Sequence, residues 1–193
     1  GGMGMMLYGT LGRTGVYPMQ EMLRALVHDA PADERLATAR KLLAALPDTN
    51  WLSRNEFLGD HLDGDDAGLF DLLLHDRDRA FMVEEIAHLI DGSGWRLTAF
   101  VEPARYDPAS YLTDDDILRR TGALPWIERC AFAERLAGNM RKHVFYVVKA
   151  GNPGPAIADP SDPSAVPILR DLEGPAFAAG LPPDAVMTAT IDG

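Results

Sequence analysis

Residues 8–20, Tyr8-Gly-Thr-Leu-Gly12-Arg13-Thr-Gly15-Val-Tyr17-Pro-Met-Gln20, place a cation, two phenols and an amide on one short stretch. Such groups orient a polar substrate in a pocket that is otherwise apolar. Tyr17 and Gln20 stand three apart, so a helix here gives them one face. The spacing Gly9-x-x-Gly12-x-x-Gly15 has two physical readings. It is a loop that lines an anionic or polar ligand, or it is a tight strand-to-helix turn in which glycine supplies positive φ. It matches neither the dinucleotide fingerprint nor the P-loop, and it lacks the Lys of the latter.

His75-Asp76-Arg77-Asp78-Arg79 is the second chemical stretch. A histidine flanked by carboxylates can serve as a general base, because a neighbouring acid orients and charges the ring. The same alternation of charge also suits a solvated link between two helices. Asp60-His-Leu-Asp63-Gly64-Asp65-Asp66 invites a calcium test, which fails: with Gly64 at the sixth position, Gly59, His61 and Phe70 occupy positions one, three and twelve. That stretch reads as an acidic loop, and no metal site is expected. HExxH, paired cysteines and a GxSxG elbow are all missing. The single cysteine, Cys130, rules out an internal disulfide and reads as a buried, inert thiol on a helix with Ile127, Ala131 and Ala133. His28 suits a helix C-terminus, and His61 and His88 read as structural or exposed.

Three segments have the texture of strands that would carry these loops. Residues 3–8 are nearly all apolar, as in a strand buried on both faces. Residues 95–101 and 143–149 are rich in β-branched and aromatic side chains. Helical periodicity fills the intervals: Met19, Met22, Leu23, Leu26 and Val27 form one stripe, and Leu36, Ala39, Leu42, Leu43 and Leu46 another. Residues 66–74, 80–90 and 125–140 are predicted as further helices, and Thr113 as an N-cap followed by three aspartates. Three strands cannot cover so many helices, so further parallel strands are expected upstream of Gly1 or supplied from elsewhere.

Eighteen Lys and Arg against 29 Asp and Glu give a net charge of −11. That balance argues against nucleic acid or an anionic membrane as the main partner. No apolar run reaches the ~20 residues of a membrane span. A reducing, cytoplasmic location fits the single thiol. From residue 151 the texture changes, with eight of the 14 prolines and one cation, Arg170. Residues 151–167 read as a linker, 166–179 as a short broken helix and 186–191 as a short strand, the start of a small further domain.

The phrases Met5-Met-Leu-Tyr8-Gly, Gly12-Arg-Thr-Gly-Val-Tyr17-x-Met-Gln20, Leu73-Leu-His75-x-x-Asp78-Arg79 and Gly94-Trp-Arg-Leu-x-x-Phe100 together resemble the back half of class I S-adenosylmethionine-dependent methyltransferases. The resemblance covers about residues 1–150. It implies an α/β fold, a partial Rossmann-like three-layer sandwich that ends in an antiparallel edge pair. Gly1-Gly2 would be the remnant of a turn before the family's fifth strand, and residues 102–142 a helical insertion between the sixth and seventh. It further implies that the full-length protein uses S-adenosyl-L-methionine, with the cofactor-binding residues upstream of Gly1. By position, Tyr8, Arg13, Tyr17 and Gln20 would then face the substrate, with His75 and Arg79 as further substrate-binding candidates. Methyl transfer is an in-line displacement that proximity and orientation can drive, so no catalytic base is assigned. The methyl acceptor is left unspecified, and a homodimer is allowed. A non-catalytic regulatory or dimerisation module, and an anion-binding α/β protein built on the Arg13 loop, stand as alternatives.

Overall fold

The computed structural model describes residues 1–59, 66–152 and, in the tail, positions 161, 163, 164, 179 and 180. The chain folds as two compact units, Gly1–Asn152 and Pro153–Gly193. The expected tail linker, helix and strand, and most of the acidic loop with His61, lie outside the described residues.

The first unit is a mixed α/β fold of partial Rossmann-like type. Its sheet contains β1 (Gly2–Gly9), β2 (Ala80–Phe81), β3 (Trp95–Phe100) and β4 (Lys142–Lys149), in the order β2-β1-β4-β3. β1 is interior. It pairs parallel with β2 through Tyr8↔Ala80 and Gly9↔Phe81, and antiparallel with β4 from Gly2↔Val148 to Tyr8↔Lys142. β3 and β4 form the antiparallel edge pair, with a register shift between Leu97 and Ala99.

Alternation along the strands decides what each face meets. Met5, Leu7, Phe145 and Val147 pack on Val83, Ile86 and Ile90 of α4 (Val83–Asp91) and on Cys130 and Ala131 of α6 (Trp126–Ala137). On the other face Met6 and Tyr146 are 48% and 51% exposed, so among the described residues β1 is covered on one face, not the two expected. The reason lies in the next three helices. α1 (Val16–Val27), α2 (Ala32–Ala44) and α3 (Asp66–Leu73) pack on one another around Val16, Met19, Leu23, Ala39, Leu69 and Leu72, forming a core of their own.

Two local expectations are corrected. Residues 80–90 are not one helix: Ala80–Phe81 join the sheet, and α4 begins at Val83, where the Glu85 carboxylate accepts the Met82 N–H at 2.8 Å. A two-residue strand is too short to leave an alternation pattern. The N-cap of α5 (Asp115–Gly122) is Asp114 rather than Thr113, its carboxylate accepting from the Asp116 and Ile117 N–H groups at 3.1 and 3.0 Å. No helix among the described residues is long and apolar enough to cross a membrane.

Cys130 is buried against the sheet. Burial, opposed in part by Arg129, pushes its thiol from 9.0 up to about 11. At pH 8 the native chain should therefore resist iodoacetamide, and the urea-unfolded chain should be alkylated, as read by mass spectrometry. The native thiol keeps its proton where the unfolded one has lost it, so this group's stabilisation falls as pH rises from about 9 through 11.

Candidate functional site

In open α/β sheets, ligands bind beyond the carboxyl ends of the strands. At that end of β1 the chain makes a short 3₁₀ turn (Leu11–Arg13) and enters α1 through Gly15. The three glycines there have a steric explanation. A Cβ on Gly9 would lie 2.1 Å from the Met140 carbonyl oxygen, and one on Gly12 would lie 2.4 Å from the Arg141 nitrogen. Gly15 has φ +96°, and a Cβ there would lie 2.3 Å from the Leu52 nitrogen. The loop is thus pressed against the chain just before β4 and against the turn after α2. Gly9 N–H donates to the Arg141 carbonyl at 2.8 Å and Gly12 N–H to the Met140 carbonyl at 3.2 Å. Asn55 Nδ2 donates to the carbonyls of Gly12 and Thr14. The positive φ of the tight-turn reading occurs at Gly15 alone, and close packing, which neither reading invoked, accounts for all three positions.

The loop holds Arg13 inward. Arg13 is 4% exposed and forms an ion pair with Asp78, whose side chain is 5% exposed. Its guanidinium carbon stands 4.0 Å from the Tyr8 ring centre and 5.8 Å from that of Tyr17, close enough for attraction to the ring quadrupoles. Gln20, also buried, donates from Nε2 to the Leu72 carbonyl at 2.9 Å and to Asp78 Oδ2 at 3.2 Å. Asp78 is therefore the hub that joins the loop, α1 and the segment ahead of β2. Arg13 Nε remains a buried donor without a hydrogen-bond partner among the described residues. Burial raises the Tyr17 phenol above its ordinary value although Arg13 opposes this, so the phenol keeps its proton.

In front of this cluster lies an open groove of about 390 Å³, lined in part by Met6, Tyr8, His75, Asp78, Arg79 and Phe81. His75 Nδ1 accepts the Arg77 N–H at 3.1 Å, which leaves Nε2 as the outward nitrogen. Arg79 lies 4.4 Å over the Phe81 ring and bonds Glu85 at 3.1 Å. The six residues singled out from sequence thus occupy one neighbourhood in two layers. Tyr8, His75 and Arg79 line the groove, while Arg13 and Gln20 are engaged behind it and Tyr17 is half-buried beside them. The groove offers two aromatic faces, the cations Arg77 and Arg79, the carboxylates Asp71 and Asp78, and an imidazole to an acceptor of mixed polarity.

Sequence reasoning did not single out Asp78, nor a second buried cluster formed by Tyr106, Glu134 and His143. A signal for the latter was present: Glu134 is a lone carboxylate on the face of α6 that also carries Cys130, Ala131 and Ala137. Among the described residues no group of three His, Cys, Asp or Glu is arranged to hold a metal ion.

No family model matches the chain. Among solved structures, the fold is similar to that of PKMT2 from Rickettsia typhi, with a TM-score of 0.53 and 10% sequence identity. The match covers 79% of this chain and 30% of that one, so the chain spans under a third of its neighbour's length.

Proposed function

We propose that this chain forms the acceptor-side half of an S-adenosylmethionine-dependent methyltransferase. PKMT2 is a methyltransferase by its name, and the shared fold supports methyl transfer at a coarse level. The observation that carries the reading is the groove at the carboxyl end of β1, beside a β1-β4-β3 order that ends in an antiparallel edge pair. The described residues do not themselves fit the cofactor, because the backbones of Met140, Arg141 and Leu52 already fill the space at all three loop glycines. The work of this half is then to bind and orient the methyl acceptor. Tyr8, His75 and Arg79 contact it, and Arg13, fixed by Asp78, which Gln20 in turn holds, keeps the Tyr8 ring in place. Orientation of this kind can supply much of the barrier reduction in a displacement.

The anion-binding alternative loses support, since Asp78 neutralises the cation it requires. The test is calorimetry of the intact, full-length protein with S-adenosylmethionine and with its demethylated product. Saturable heat with both is expected. No heat with either, together with a dimer in sedimentation, would replace this reading by the non-catalytic module.

A further inference from the structure

Leu7 and His143 share the sheet face opposite Tyr8, and behind them runs a buried chain of polar groups. The Tyr106 hydroxyl lies 2.9 Å from His143 Nδ1, and His143 Nε2 lies 3.1 Å from Glu134 Oε1. Glu134 Oε2 accepts the Val83 N–H at 2.9 Å. Glu134 and His143 are fully buried and Tyr106 is 5% exposed. A carboxylate oxygen accepts, so His143 donates its Nε2–H to Glu134 Oε1, leaving Nδ1 to accept from Tyr106. Burial pushes the Tyr106 phenol up, so it retains the proton it donates. Each member has its partner, and none lines the groove, which argues against proton exchange with a substrate.

The position of this chain gives it a different task. Val83 lies two residues past the end of β2, and the Phe81 carbonyl of β2 accepts the Thr10 N–H of the glycine loop at 3.2 Å. The Met140 and Arg141 carbonyls, just before β4, accept from Gly12 and Gly9. A Cβ on Gly9 would come within 3.0 Å of His143 Nε2. The contacts close a ring: loop, β2, Val83, Glu134, His143 and back to the loop. One wall of the groove, Asp78 and Arg79, enters β2 directly. Behind the groove, Arg13 hangs from the loop. Glu134 grips both sides through one carboxylate.

We infer that Glu134 and His143, with Tyr106, are positioning residues that fix the spacing between the Arg13 loop and the Asp78–Arg79 segment. The inference rests on the groove being the functional site, but its test reads the ligand-free chain and so can fail independently of the methyltransferase reading. In ¹⁵N-labelled 193-residue protein, the His143 ring should show the Nε2–H tautomer. Glu134→Gln keeps an acceptor for Val83 but offers an N–H to Nε2, so the tautomer should switch to Nδ1–H while the Arg13 Nε–H and the Gly9 and Gly12 amide signals hold their positions. Glu134→Ala should shift or broaden those three signals. Tyr106→Phe removes a single oxygen; it should move the Nδ1 signal to that of an unbonded acceptor and displace the Gly9 amide. Unmoved loop signals in folded Glu134→Ala would overturn the inference. Should that variant not fold, an unmoved Gly9 amide in Tyr106→Phe would do so. An Nδ1–H tautomer in the unsubstituted chain would likewise overturn the proton arrangement.

Discussion

Asp78→Ala lowers the unfolding free energy by about 3–5 kcal/mol, the usual consequence of removing one partner of a buried ion pair. The magnitude follows from what stays behind. Arg13 is 4% exposed, its fold position is set by a loop that cannot swing outward, and Asp78 is its ion-pair partner. Without the carboxylate the guanidinium remains in low dielectric beside the Tyr8 and Tyr17 rings. Replacing both members by apolar residues, as in Arg13→Met with Asp78→Leu, removes the stranded charge and should recover most of the loss. Urea unfolding of the two variants separates these cases. A loss below about 1 kcal/mol in Asp78→Ala, the size expected of an exposed pair, would mean that the pair is solvated and the cluster is not a fixed bracket.

The second large effect belongs to Gly15→Ala. Two costs combine at that residue: a left-handed backbone at φ +96° and a methyl group driven to 2.3 Å from the Leu52 nitrogen. Strain of the first kind costs about 1–3 kcal/mol, and overpacking a similar 1–3 kcal/mol, so a combined loss of roughly 3 kcal/mol or more is expected. Gly138→Ala is the matched control. It has φ +69° at the end of α6 but open space where the Cβ would go, so it carries only the conformational cost, about 1 kcal/mol. Equal midpoint shifts for the two variants in thermal unfolding would refute close packing as the role of Gly15.

The sequence exposes these features unevenly, for physical reasons. β1, β3 and β4 are legible because their apolar or β-branched and aromatic texture runs over six or more residues, and α1 because its apolar stripe repeats at helical spacing. The convergence of Tyr8, Arg13, Tyr17 and Gln20 is legible because a strand-to-helix turn brings near neighbours together. Asp78 is not. Within His75-Asp-Arg-Asp-Arg79 nothing local separates it from Asp76, which is 58% exposed and bonds Arg35 at 3.0 Å. The distinction comes from Arg13, 65 residues earlier in the chain. β2 is hidden for a similar reason, since its two residues become a strand only by meeting Tyr8 and Gly9. Glu134, His143 and Tyr106 come from a helix, a strand and a 3₁₀ turn, and only tertiary structure makes them one chain of hydrogen bonds.

The register Gly2↔Val148 has a consequence for biosynthesis. Once β1 leaves the ribosome, its long partner follows only after some 140 further residues have been made, an interval of roughly 7–30 s at ordinary elongation rates of about 5–20 residues per second. Through that time Met3, Met5, Met6 and Leu7 lack the β4 ladder, and closing so long a loop is an intrinsically slow step. The nascent chain is thus a natural client for chaperones until β4 emerges.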